Sequence, residues 1–163
     1  MQLADFKKLM ETTFGTDEAM GVFFTFEDSD EHITLQQHQT LWNIMGDSMP
    51  GMISRLPLGG SAVCCTDYAI EIFHRLPGRV QIFGFACEDN PTSKFALEDL
   101  AQGHDFAVVD GRYIVDPWPR LVPMCFNQMI FDLQDPQTFE YYGPKECWRR
   151  MTLCEETQHA TGH

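Results

Sequence analysis

The sequence predicts one α+β domain in which a cysteine-bearing helix packs on an antiparallel sheet. Three observations predict it. Ala69, Ile72, Phe73 and Leu76 recur at i, i+3, i+4 and i+7, which gathers them on one face of a helix over about 62–76. Val80–Ala86, Phe106–Val109 and Arg112–Val115 are short runs rich in β-branched and aromatic residues, the composition of strands. Asp110-Gly111 joins the last two, and that dipeptide suits the positive backbone angles of a tight hairpin, so these strands should be antiparallel neighbours.

The elements follow in order. Phe6, Leu9, Met10 and Phe14 share a helical face ahead of Gly15, which predicts an opening amphipathic helix. Val22–Phe26 reads as a strand, and the acidic stretch Glu27–Glu31 after it as a solvated turn. Thr34 and Gln37 have capping-box spacing before Leu35, His38, Leu41, Trp42 and Met45, a helix that ends near Gly46. Pro50, Gly51, Pro57, Gly59 and Gly60 make 47–60 a loop, after which Ser61 is expected to cap the cysteine helix. Pro77-Gly78 ends that helix. Phe95, Leu97 and Leu100 suggest a short helix between strands, and a last helix is expected around 145–157.

A length of 163 residues fits one domain spanning 1–163 and able to bury a core without a metal or disulfide staple. Apolar residues at 44% and charged residues at 21% are the proportions of a folded globular chain, which sets disorder aside. A net charge of −13 repels phosphate, so neither nucleic acid nor an anionic membrane is an expected partner. No apolar run is long enough to span a bilayer. Asp5, Lys7 and Lys8 interrupt the place where a signal peptide needs an apolar core, so the expected location is the cytoplasm, or another cell reached by a leaderless route. The six cysteines are unevenly spread and two are adjacent, a poor disulfide framework; Cys87, Cys125, Cys147 and Cys154 form no close Cys-x-x-Cys pair that would favour zinc.

The chemistry concentrates on three residues. A thiol attacks as thiolate, and a free cysteine has a pKa of about 8.5, so a nucleophilic cysteine needs a helix N-terminus or a histidine beside it. Cys65 has the first by position: the helix dipole and unpaired N–H groups of a first turn favour negative charge. His104 opens a strand whose partner ends at Asp116, so a carboxylate on the neighbouring strand can orient the imidazole and stabilise its charged form. Alone, a cysteine on an apolar face is an inert core residue and a histidine at a strand end a surface group. Together, Cys65, His104 and Asp116 have the order and spacing of a catalytic triad. Cys64 competes with Cys65, but its turn-mates Tyr68, Glu71 and Arg75 form a more polar stripe that should point it away from the packed face. His74 reads as a helix-surface residue, and His159 and His163 as part of a frayed tail.

These segments resemble the transglutaminase-like and papain-like cysteine enzymes. Cys65-Thr66-Asp67-Tyr68-Ala69 is similar to the superfamily's Cys-x-x-x-Ala helix start, and His104-Asp105-Phe106 through Asp116-Pro117-Trp118 to its His-strand-Asp-Pro segment. Leu76–Phe85 is similar to its link from helix to strand, so the resemblance covers about 59–118. It implies a papain-like core, a Cys-His-Asp triad that needs no cofactor or metal, and a protein substrate. Compact bacterial toxins and effectors that deamidate glutamine share this layout, which implies a glutamine deamidase that an immunity protein or chaperone accompanies. A cysteine protease or peptidoglycan amidase would use the same triad, and an adaptor domain could keep the fold with an idle site. Phe106 stands where transglutaminases carry tryptophan, and the chain is shorter than theirs, which favours hydrolysis over cross-linking. No glutamine lies between Gly51 and Cys64 to serve the oxyanion as in papain-like peptidases, so backbone N–H groups are expected in that role.

Overall fold

A computed structural model describes residues 1–14, 53–55, 61–63, 65–121 and 126–152. The expected strand at 22–26, the expected helix at 34–45 with His38, and Cys64, Cys125, Cys154, His159 and His163 lie outside these residues.

Helix α1 (Leu3–Phe14) lays Phe6 and Met10 into the core, as their four-residue spacing requires, and the Phe6 ring stacks on Tyr113 with centroids 4.1 Å apart. A small antiparallel pair follows, β1 (Ile53–Arg55) with β2 (Ser61–Val63). Both depart from the sequence reading: a strand stands inside the expected loop, and Ser61 belongs to β2 rather than capping a helix. Residues 53–55 and 61–63 satisfy backbone groups across the pair, a non-local partnership that competes with a local cap. Helix α2 (Cys65–Arg75) therefore begins at Cys65 itself.

The main sheet holds β3 (Val80–Ala86), β4 (Gly103–Val109), β5 (Tyr113–Val115), β6 (Ile130–Asp132) and β7 (Arg149–Met151) in the order β6-β5-β4-β3-β7, with every pairing antiparallel. Asp110 and Gly111 both take positive φ, 55° and 64°, at the turn between β4 and β5. The helix expected over 145–157 is not what the described part of that segment forms: Lys145–Cys147 is a 3-10 turn, and Arg149–Met151 pairs with the open edge of β3. The described residues also form a 3-10 turn, Cys87–Asp89, and three short α-helices: α3 (Lys94–Leu97), capped by Ser93, whose hydroxyl accepts from the Ala96 N–H, then α4 (Trp118–Leu121) and α5 (Thr138–Tyr142).

Alternation along the strands divides the core in two. One face carries Val80, Ile82, Ala107, Val109 and Val115 and is covered by α1 and α2 through Phe6, Met10, Ala69 and Ile72, and by Leu76 just past the end of α2. The other carries Phe85, Phe106, Val108, Ile114 and Phe131 and is covered by Phe95 of α3, Phe126 and Tyr142 of α5. The architecture is α+β, with the cysteine helix on an antiparallel sheet.

Candidate active site

Each site residue sits where an element begins or ends. Cys65 is the first residue of α2, half-buried and free of any disulfide. Its sulfur is 4.0 Å from Thr66 Oγ1, and Thr66 donates a 2.6 Å hydrogen bond to Asp105 Oδ2. Docking of the helix on the sheet buries Ala69 and Ile72, as expected; Tyr68, assigned from sequence to the outward polar stripe, is buried as well, while Glu71 and Arg75 of that stripe pair at 2.6 Å.

His104 is the second residue of β4 and is paired with Phe85 across the sheet, so both point into the aromatic layer. Its ring stacks on Phe95 at 4.1 Å and lies 5.3 Å from the Trp118 ring. The β4–β5 register pairs Ala107 with Val115, and one further step sets Asp116 on the same face as Phe106 and diagonal to His104. From there Asp116 Oδ2 accepts a 2.5 Å hydrogen bond from His104 Nε2 and a 2.6 Å bond from the Tyr142 hydroxyl. The Asp116 N–H is tied to the Met129 carbonyl at 2.8 Å.

Burial acts most strongly on His104 and opposes its charge. Asp116, by charge and by hydrogen bond, and then Cys65 outweigh it together, and the imidazole pKa is pushed up to about 9. That shift favours the imidazolium at neutral pH. Its Nδ1 is buried and makes no hydrogen bond of good geometry, although the Cys65 thiol is near enough to stabilise the charged ring. Burial, followed by the charge of Asp116 and the hydrogen bond to it, holds the Tyr142 hydroxyl well above its usual pKa, so it stays a donor to the carboxylate.

The structure therefore brings Cys65, His104 and Asp116 together and adds two residues that sequence reasoning did not single out. Tyr142 supplies a second donor to Asp116, and Phe95 supplies the ring against which His104 lies flat. Nothing in the local pattern marks either, since each meets the site only through tertiary packing. The Tyr142 carbonyl in turn accepts from Asn90 Nδ2 and Trp148 Nε1, both at 2.8 Å, which fixes the end of α5.

The remaining thiols differ in setting. Cys87 donates to the Ala101 carbonyl at 3.1 Å, and burial and then Asp99 push its pKa up, against nucleophilic use at neutral pH. Cys147 is half-buried in the 3-10 turn, and His74 is exposed on α2. Among the described residues no group of three or more His, Cys, Asp or Glu is arranged to hold a metal ion. No helix among them is long and apolar enough to cross a membrane. No protein-family model matches the chain, and no curated protein or solved structure matches it.

Proposed function

We propose that the protein is a cysteine hydrolase with a papain-like, transglutaminase-like core, Cys65 being the nucleophile, His104 the general base and acid, and Asp116 the residue that orients and charges the imidazole. The observation that carries this reading is the buried His104, held by Asp116 on Nε2 while Nδ1 is left toward the thiol at the start of α2. In the proposed reaction the Cys65 sulfur, its proton held on His104 as imidazolium, attacks a carboxamide carbon, and the tetrahedral oxyanion is met by N–H groups of the first helical turn. The carbon–nitrogen bond breaks, and the leaving nitrogen takes its proton from the His104 imidazolium. Water, deprotonated by the neutral imidazole, then cleaves the thioester and frees the sulfur, with the proton back on His104.

Within this class the substrate we favour is a glutamine side chain on a protein, which would be deamidated with release of ammonia. That choice rests on the resemblance of 59–118 to compact deamidating toxins and effectors, and is an analogy of layout. Delivery by a leaderless route and an accompanying immunity protein or chaperone belong to the same proposal.

Intact-mass spectrometry of protein substrates separates the outcomes: deamidation adds about one dalton to an uncut chain, whereas a protease splits it and an idle adaptor leaves it unchanged. Cys65→Ser should lower turnover by about four orders of magnitude or more, because a serine hydroxyl is far harder to deprotonate than a thiol. Retained activity in Cys65→Ser, or its loss in Cys64→Ser with Cys65→Ser active, would overturn the assignment of the nucleophile.

A further inference from the structure

Thr66 follows the proposed nucleophile and Asp105 follows the proposed base, and these two side chains tie together the elements that carry them. Successive strand residues face opposite sides, so with His104 turned into the aromatic layer Asp105 must face α2. There its Oδ2 accepts the 2.6 Å hydrogen bond from Thr66. Space for the carboxylate depends on Gly84, its cross-strand partner: a Cβ at that position would come within 2.2 Å of Asp105 Oδ1.

The need for such a tie follows from how α2 is docked. Its deeply buried residues begin at Tyr68 and Ala69, whereas Cys65 and Thr66 are only half-buried beyond them. Apolar packing fixes the body of the helix and leaves the first turn to be held by something else. A carboxylate placed near the sulfur for its charge alone would oppose a thiolate, so the hydrogen bond is the useful part of Asp105. That bond also commits the Thr66 hydroxyl proton, so Thr66 meets the sulfur 4.0 Å away with a lone pair and does not quench it as a donor.

We propose that Thr66 and Asp105 are positioning residues that clamp the first turn of α2 to β4 and so hold the Cys65 sulfur beside His104 Nδ1; this rests on the reading of Cys65 as nucleophile. The test compares two removals of the bond, Thr66→Val and Asp105→Ala, with two replacements that keep it, Thr66→Ser and Asp105→Asn. Two quantities are read on the full chain: the NMR titration midpoint of His104, and the rate of Cys65 alkylation by iodoacetamide relative to Cys87. His104 reports the sulfur because Cys65, Asp116 and Tyr142 are the titratable groups around its ring, and only Cys65 is on the clamped element.

Both removals should lower the His104 midpoint toward the value in Cys65→Ala and slow Cys65 alkylation about tenfold or more. Thr66→Ser and Asp105→Asn should stay close to wild type in both. A folded removal variant with an unchanged His104 midpoint would overturn the clamp, as would retention variants that lose as much as the removals. Two separate removals guard against one failing to fold. Were Cys65 in the wild type alkylated no faster than Cys87, the nucleophile assignment would fall, while the His104 titration would still decide the clamp.

Discussion

His104 and Asp105 are neighbours in the chain, yet they belong to two differently built sides of one strand. On the side of α1 and α2 the core is largely aliphatic, with Ile72, Ala107 and Val109 at its centre and Asp105 as a polar group at its end. On the other side the core is a stack of rings, and into it are sunk an imidazole, a carboxylate and a phenol. Flat rings can pack around His104 without offering it hydrogen bonds, so its polar contact falls to Asp116 and its other nitrogen is left for the thiol. The aliphatic side holds the helix in place; the aromatic side sets the charge of His104.

The comparison breaks most easily at Asp116. Asp116→Asn keeps the shape and an acceptor but removes the largest of the contributions that together outweigh burial, so the His104 pKa should fall and the ring should be neutral at pH 7. The proposed activity should drop by about two to four orders of magnitude. Ammonia release and the NMR titration of His104 measure the two effects, and an unchanged imidazole titration would mean that the aromatic side does not depend on this carboxylate.

A second test separates the sides by their response to pH. The pKa of His104 is raised in the folded protein to about 9, whereas an unfolded histidine titrates at about 6.5. Below the lower value both states hold the proton and the stabilisation is fully present. Between the two values only the folded state holds it, so stability falls as pH rises, by a total on the order of 3 kcal/mol, and above the folded pKa the contribution is gone. Chemical denaturation from pH 6 to 10 should show this slope in the wild type and a much smaller one in His104→Gln. Ile72→Ala, on the aliphatic side, should lower the whole curve by about 2–4 kcal/mol and leave its slope alone. A sloping His104→Gln curve would assign the pH dependence to other groups.

How far the two sides were legible in the sequence differs for the same reason. Periodicity marked Ala69, Ile72 and Leu76 as one buried stripe, because a helix face repeats locally. The hairpin at Asp110-Gly111 was equally local, and together with the strand ends it was enough to set Asp116 near His104. What stayed hidden depends on pairing between distant segments. Ser61 looks like a cap until residues 53–55 claim it for a strand, and 149–151 look helical until the open edge of β3 takes them. Tyr142 belongs to this hidden set, since 26 residues separate it from Asp116 and no repeat connects them.

Tyr142 also supplies the smallest of the expected effects. Its hydroxyl and the His104 ring nitrogen donate to the same Asp116 oxygen, so the two bonds together fix the direction of the carboxylate. Tyr142→Phe keeps the ring packed against Phe106, at a centroid distance of 4.9 Å, and removes one donor from a buried anion. Loss of a hydrogen bond to a charged group costs about 1.5–3 kcal/mol, but His104 remains to satisfy Asp116, so a loss of about 1–2 kcal/mol is expected. The chemical consequence should be milder than in Asp116→Asn, because the charge beside the imidazole stays: we expect about a tenfold fall in the proposed activity, and a pH–rate profile displaced only slightly. A merely structural role would lower stability and leave that profile where it was. If Tyr142→Phe instead matched Asp116→Asn in rate and in the His104 titration, the phenol rather than the carboxylate charge would be what holds the imidazole, and the aromatic side of the sheet would owe its chemistry to α5 as much as to β5.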